Sequence, residues 1–258
     1  MPSVRRLFNR TDRGGKGMKH AFVTGADRGV GYALALELLQ RGYTVFAGRY
    51  MPEWQEPQPV PEEWKERLVP LAIDVADGDS VRAAAEEVAR RTDRLELIVN
   101  NAGVVGDKEG SALGEIDYDA MFRQFAVNAV GPLRVVQALS GLLLAGEDKL
   151  VVNISSEAGQ INQTWRESWY GYCMSKAALN IESNILHNEL KPRGGRVLVI
   201  HPGWVRSYMS GKLSEEGTYT AAESAAGIAT VIDGHRADRT PRDHPAFIDN
   251  TGAEMSWT

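Results

Sequence analysis

A phenol and an amine four residues apart, in Tyr172-Cys173-Met174-Ser175-Lys176, carry the most direct chemistry in this chain. They open a stretch of helical apolar spacing that runs to Leu190, so both side chains fall on one helix face. A phenol ordinarily titrates near pH ~10 and is a poor proton donor or base at neutrality. A neighbouring ammonium favours the phenolate and is expected to lower that value, as a general acid/base requires. The pattern is weak alone, because Tyr208-Met-Ser-Gly-Lys212 matches it as well. There Gly211 and the setting after Pro202-Gly203 offer no rigid helix to fix the geometry. Tyr172 is therefore the candidate.

Two further groups belong to the same chemistry. The apolar run Leu150–Ile154 reads as a strand that ends in Ser155-Ser156. Reactive groups of open parallel sheets gather at the carboxyl ends of strands. A hydroxyl at Ser156 can donate to a carbonyl oxygen as negative charge develops on it, or it can simply cap the strand end. The second group is the turn Thr24-Gly25-Ala26-Asp27-Arg28-Gly29-Val30-Gly31, set between a strand and a helix. Glycine lets the backbone turn tightly and approach a pyrophosphate, and the helix N-terminus offers unpaired N–H groups to it. Such turns also occur for structural reasons alone. A site for NAD would place an acid at the end of the second strand, about 20 residues on. That strand runs Thr44-Val-Phe-Ala-Gly-Arg49, with Arg49 at the position in question and Arg28 inside the turn. A guanidinium grips a 2′-phosphate through paired charged hydrogen bonds. The two cations favour NADP(H) over NAD(H), unless both are merely solvated.

The elements that must position these groups alternate along the chain. Short apolar strands are predicted at His20–Thr24, Tyr43–Ala47, Leu68–Ile73, Leu95–Val99, Leu150–Ile154 and Arg196–Ile200, with a last short one at Ala246–Ile248. Helical spacing is found at Tyr32–Leu39, at 79–91 with Val81, Ala84, Ala85 and Val88 on one face, at 117–144 and at 172–190. Repeated β-α-β with near-continuous apolar strands predicts an α/β fold, a Rossmann-type doubly wound parallel sheet in a single domain. In 50–63, Pro52, Pro57, Pro59 and Pro61 forbid a long helix, so the second helix is shortened or replaced by a loop.

Composition bounds the rest. The 258 residues are 43% hydrophobic and 24% charged, ordinary for a globular protein. The net charge of −5 argues against a nucleic-acid partner, which would need a basic surface. The single cysteine, Cys173, excludes an intrachain disulfide and a cysteine metal cluster, and no metal site is expected. No uninterrupted apolar stretch reaches about 18 residues, so no membrane association and a cytoplasmic location are expected. Residues 1–17 hold five basic residues against Asp12, a net +4 that leaves −9 on residues 18–258. They are expected to be a disordered basic extension, or the product of a start placed too early with Met18 the true one, leaving 18–258 as the domain. Cys173 beside Tyr172 suggests a redox switch, against the plainer reading of a small buried hydrophobe.

Taken in order, these motifs resemble the short-chain dehydrogenase/reductase family over roughly 19–258. The resemblance rests on Thr24-Gly-x-x-x-Gly29-x-Gly31, Asn100-Asn-Ala-Gly103, Val127-Asn128-Ala-Val-Gly131, Ser156, Tyr172-x-x-x-Lys176 and Pro202-Gly203-Trp-Val205. Tyr172-Cys-Met-Ser-Lys-Ala-Ala-Leu-Asn180, His201-Pro-Gly-Trp-Val-Arg206, Glu223-Ser-Ala-Ala-Gly227 and Phe247-Ile-Asp-Asn-Thr-Gly252 are most similar to the sniffer-like and C-factor-like carbonyl reductases. The resemblance implies an enzyme that moves a hydride between NADPH and a ketone or aldehyde, in either direction. Tyr172 would be the proton donor, Lys176 would bind the nicotinamide ribose and tune Tyr172, Ser156 would orient the carbonyl, and Asn128 would hold a water leading from Lys176. Cofactor contacts would come from Gly25, Asp27, Arg28, Gly29, Val30, Gly31, Arg49, Asp74, Val75, Asn101, Ala102, Gly103, Pro202, Gly203, Val205 and Ser207, the last a Ser where the family more often has Thr. The 16-residue spacing from Ser156 to Tyr172 fits this subgroup. Val104, Trp165, Trp169, Trp204 and Met209 would face an apolar or aromatic carbonyl or alcohol substrate, unless they are core or lid packing. The helices at 117–144 and 172–190 resemble the family's usual dimer surface, so a homo-oligomer is expected, with a monomer as the alternative. Two rival functions share these features: a non-catalytic NADP-binding sensor or signalling protein on the same fold, and a sugar-nucleotide epimerase or dehydratase. The second would need a longer C-terminal domain than the 46 residues after Lys212.

Overall fold

The computed structural model describes residues 18–51, 53, 60–106, 108–209 and 213–258. The expected extension at 1–17 lies outside the described residues, as do Pro52, Pro57, Pro59, Gly211 and Lys212. Seven strands form one sheet: β1 (Lys19–Thr24), β2 (Tyr43–Arg49), β3 (Leu68–Ala72), β4 (Leu97–Asn100), β5 (Leu150–Ile154), β6 (Arg196–His201) and β7 (Ala246–Asp249). All neighbours are parallel, in the order β3-β2-β1-β4-β5-β6-β7. The order reverses between β1 and β4, the switch point where open α/β sheets bind ligands. This is the doubly wound parallel sheet that the alternation predicts.

Both faces of the sheet are buried, which is why its central strands read as continuous apolar runs. Successive residues of a strand point to opposite faces, and Ala21 and Val23 join one core while Phe22 joins the other. The first core packs against α1 (Gly29–Gln40) and α6 (Ala221–Ala237). The second packs against α2 (Gly78–Arg91), α4 (Gly131–Ala145) and α5 (Tyr170–Leu190). Leu34, Leu38 and Leu39 of α1 are fully buried, each contributing about 1.5–3 kcal/mol of apolar burial.

Several boundaries differ from expectation for physical reasons. Helix α6 was not anticipated, although Thr220 and Glu223 form a reciprocal capping box at its start. Leu95 lies outside β4 because its N–H turns to the Leu142 carbonyl. Between β2 and β3 the expected shortening is found: a 3-10 turn, Glu62–Arg67, follows Pro61 in place of a full helix. The long helical stretch splits into α3 (Tyr118–Phe125), a π-helical turn at Ala126–Val130, and α4. Pro132 explains the irregularity, since it offers no N–H to the Asn128 carbonyl four residues upstream. That stretch also corrects the hydropathy reading: Tyr118–Ala145 is long and apolar enough, by length and composition, to cross a membrane. Half of its most apolar portion is buried within the fold, as in a core helix.

Candidate active site

Helix α5 is docked on β5 by a ladder of buried polar side chains one turn apart. Lys176 Nζ donates to the Ile154 carbonyl at 2.8 Å, and Ser155 Oγ donates to Asn180 Oδ1 at 2.7 Å. Asn153 Nδ2 donates to Ser183 Oγ at 2.8 Å. Each rung satisfies a buried polar group, so sliding the helix by one residue would orphan all three. The ladder fixes α5 in register with the end of β5 and sets Tyr172, one turn above Lys176, beside Ser156. Gly159 allows the approach, since a Cβ there would lie 2.8 Å from the Lys176 backbone carbon.

The Tyr172–Lys176 electrostatics differ from the simple expectation. Lys176 Nζ stands 5.8 Å from the centre of the Tyr172 ring, and both side chains are buried. Burial dominates for both. It pushes the Tyr172 phenol up to about 12, with the nearby Glu157 charge adding to the rise and a hydrogen bond with Ser156 opposing it. Burial alone brings the Lys176 amine down to about 8. The phenol is therefore raised, not lowered as expected, because burial dominates its electrostatics. The same effect raises Cys173, away from the thiolate that a redox switch requires.

Asn128 sits in the π-helical turn and is fully buried. Its Oδ1 accepts from the Val104 N–H at 2.8 Å, while its Nδ2 donates to the Val104 carbonyl at 2.9 Å and to Ser175 Oγ at 3.0 Å. Both amide hydrogens are thus committed to bracing the strand-end loop against α5.

The glycine turn is held by the Asn-Asn-Ala-Gly segment beside it. Thr24 Oγ1 accepts from the N–H groups of Asn101 and Ala102, each at 3.0 Å. Asn101 Nδ2 donates to the carbonyls of Thr24 and Gly25 at 3.0 and 3.2 Å. Gly31 is confined: a Cβ there would come 2.1 Å from the Gly25 oxygen and 2.3 Å from Asn101 Nδ2. Gly25 has φ of +64°, a left-handed conformation that suits glycine. The N-terminus of α1 has no side-chain cap and no acid in its first turn, whereas α2, α3 and α6 are capped by Asp77, Asp117 and Thr220. An uncapped helix start opening into a glycine-walled cleft fits a bound diphosphate.

A cleft of about 1200 Å³ joins these parts along the carboxyl ends of the strands. It is lined by Gly25, Asp27, Arg28, Gly29, Val30, Gly31, Asp74, Val75, Asn101, Ala102, Gly103, Pro202, Gly203, Val205 and Ser207, together with Ser156, Tyr172 and Lys176. The expected pocket residues Val104, Trp165, Trp169, Trp204 and Met209 line it as well. Arg49 is placed apart from the cleft lining; its guanidinium reaches the Met51 carbonyl at 3.5 Å. Arg28 lies 5.1 Å from the Tyr208 ring centre, joining the glycine turn to the segment after β6.

Around the expected Trp165 and Trp169, the substrate side holds three residues that sequence reasoning passed over, Glu157, Arg166 and His201. Trp169, at φ +67°, is a bulky residue in left-handed backbone immediately before α5, a strained placement. Its indole packs edge-on to Tyr172 at 5.9 Å, and Arg166 stacks on both Trp165 and Trp169. Arg166 also pairs with Glu157 at 2.8 Å. Glu157 accepts the Ser156 hydroxyl proton at 2.6 Å and faces His201 Nδ1 at 3.5 Å. Glu157 directly follows Ser156 and His201 directly precedes Pro202-Gly203, so adjacency to a motif was the available signal for both. Nothing in the sequence marks Arg166.

Residues 19–218 match the family model described as short chain dehydrogenase. C-signal of Myxococcus xanthus is 37% identical over 177 residues, covering 69% of this chain and all of that one. A carbonyl reductase of Pseudomonas aeruginosa PAO1, solved in complex with NADP, is 30% identical with a TM-score of 0.72, covering 93% of this chain and all of that one. The carbonyl reductase Sniffer of D. melanogaster has a TM-score of 0.80 over the same shares, and at 22% identity it shows the fold alone. With the sheet order, the glycine turn and the Tyr172–Lys176 helix already in place, the family match is decisive: this chain belongs to the short-chain dehydrogenase/reductase family of oxidoreductases.

Proposed function

We propose that this protein is an NADP(H)-dependent carbonyl reductase, acting on a ketone or aldehyde or on the corresponding alcohol in reverse. The observation that carries the reading is the convergence of Ser156, Tyr172 and Lys176 on one cleft with the uncapped N-terminus of α1. The cleft residues fit a dinucleotide: the α1 start and Gly29 toward the diphosphate, Arg28 toward a 2′-phosphate, and Asp74, Val75 and Ala102 flanking the nucleoside. Arg28 in the lining, and the lack of an acid at the end of β2, favour NADP(H). The NADP in the Pseudomonas structure supports the same choice. When bound, the nicotinamide supplies the hydride.

The chain supplies position and the proton. Tyr172, held protonated by burial, gives its phenolic proton to the substrate oxygen. Ser156 Oγ fixes that oxygen by a hydrogen bond. Lys176, anchored on Ile154, keeps a positive charge beneath the phenolate that forms. Val104, Trp165, Trp169, Trp204 and Met209 exclude water and favour an apolar or aromatic substrate. We assign 18–258 to this single domain.

The experiment is NADPH oxidation with a panel of aromatic aldehydes and ketones. Wild type is expected to turn over at least one, and Tyr172→Phe to lose it by about 100-fold or more while still binding NADPH. Equal rates in both proteins would overturn the reading. A signalling role is the second reading, favoured by the C-signal relative. NADPH binding without turnover of any carbonyl would support it.

Exposed apolar side chains on α3, α4 and α5, namely Phe122, Leu133, Ile181 and Ile185, form the surface through which we propose a homo-oligomer. Ile181→Asp combined with Ile185→Asp is expected to yield monomers by light scattering. A wild type already monomeric at high concentration would overturn this.

A further inference from the structure

We infer that Glu157 is a positioning residue that gives Tyr172 a second proton route, through the Ser156 hydroxyl to a carboxylate facing His201. The inference rests on the reductase reading and adds a component to its site. Ser156 has one hydroxyl proton, and it is directed at Glu157 Oε2 at 2.6 Å, while Ser156 Oγ accepts from the Ala158 N–H at 3.1 Å. The hydroxyl that fixes the substrate oxygen is thus also within donating reach of an acid.

That acid is held from several sides. Arg166, stacked on two indoles, binds Oε1 at 2.8 Å. Gln163 Nε2 donates to the Glu157 backbone carbonyl at 2.6 Å. From β6, His201 presents a buried Nδ1, without a hydrogen-bond partner, 3.5 Å from Oε2. From α5, Tyr172 and Cys173 face Glu157; burial is the main cause that holds phenol and thiol protonated, and the Glu157 charge adds to it. Lys176 and, from β7, Asp249 act on His201 with opposite signs. Burial is the largest influence on His201 and lowers its pKa. Glu157 itself is 38% exposed, so the route opens onto the cleft and its water.

The proton balance closes without any other reactant. Once Tyr172 has given its proton to substrate it is a phenolate. The Ser156 hydroxyl turns and gives its proton to the Tyr172 oxygen. Ser156 Oγ takes a replacement proton from Glu157, whose carboxylate has first taken one from the His201 imidazolium or from a hydronium ion in the cleft. One proton moves inward; Ser156 and Glu157 end as they began. In the reduction direction the route is loaded by protonated His201. The kcat of the wild type should therefore decline as pH rises through the depressed His201 pKa.

The test uses p-nitrobenzaldehyde and NADPH across about pH 5 to 8, with Glu157→Gln, Glu157→Ala and His201→Gln. Glu157→Gln keeps the length and a hydrogen-bonding oxygen for Arg166. It is expected to lower kcat about tenfold, to flatten the decline of kcat with rising pH, and to leave KM and NADPH affinity within about twofold. Glu157→Ala is expected to recover activity when formate is added, and His201→Gln to flatten the same decline. The inference is overturned if Glu157→Gln keeps the wild-type kcat and its decline with rising pH. It is equally overturned if formate leaves Glu157→Ala unchanged. Turnover abolished by Tyr172→Phe but indifferent to Glu157→Gln sinks this inference and leaves the reductase reading standing. No turnover by wild type sinks both.

Discussion

Lys176 Nζ spends its one hydrogen bond among the described residues on the Ile154 carbonyl, at 2.8 Å, and is otherwise buried beneath the Tyr172 ring. The position suits catalysis and costs stability. A charge is held in a place that prefers a neutral group, as functional sites commonly require.

Replacing that lysine should therefore separate stability from activity. The amine titrates near 8 when folded against 10.5 as a free side chain, a difference worth on the order of 3 kcal/mol. Lys176→Met removes this cost and orphans the Ile154 carbonyl, which costs about 1 kcal/mol. Lys176→Met is thus expected to be more stable than wild type by roughly 2 kcal/mol at neutral pH, and to lose turnover by about 100-fold or more. The pH dependence follows from the sign of the shift. Between 8 and 10.5 the unfolded chain binds more protons at this residue than the folded one, so wild type gains stability as pH rises through that window. The advantage of Lys176→Met should be complete below pH 8, vanish within the window between 8 and 10.5, and give way above about pH 10.5 to a deficit of about 1 kcal/mol from the orphaned Ile154 carbonyl. Urea denaturation at a series of pH values checks it, and a variant less stable than wild type at neutral pH would contradict it.

Those same residues mark where the sequence is informative and where it is silent. The four-residue spacing of Tyr172 and Lys176 shows a shared helix face, and the apolar run before Ser156 shows a strand end. Both features are local, and the structure places them together. Burial is not local. Nothing in Tyr-x-x-x-Lys reveals that burial raises the phenol. Helix α6 was hidden for a related reason. Its Gly227 reads as a breaker, yet the Asn250 backbone passes so close that a Cβ there would lie 2.2 Å from the Asn250 oxygen. A glycine demanded by a contact some twenty residues away cannot be recognised from its neighbours. Glu157 and His201 were visible as letters beside known motifs, but their mutual approach depends on how β5 and β6 pair.

Arg28 and Arg49 extend the point to cofactor choice. By sequence they are equivalent cations, one in the glycine turn and one at the end of β2. In the structure Arg28 lines the cleft, whereas Arg49 is not among the lining residues and turns its guanidinium to the carbonyl of Met51 at the cleft edge. A charged hydrogen bond to a phosphate is worth about 1.5–3 kcal/mol, which corresponds to roughly 10- to 100-fold in affinity. Arg28→Ala is expected to weaken NADPH by that factor and to leave NADH within about twofold, since NADH lacks the 2′-phosphate. Arg49→Ala should have the smaller effect, no more than about threefold for either cofactor, because a group outside the cleft makes no such bond. Isothermal titration of the four protein–cofactor pairs decides the matter. Equal losses of NADPH and NADH affinity in Arg28→Ala would show that this arginine supports the glycine turn or its contact with Tyr208 rather than a phosphate. A large, NADPH-specific loss in Arg49→Ala would instead show that its side chain swings into the cleft on binding.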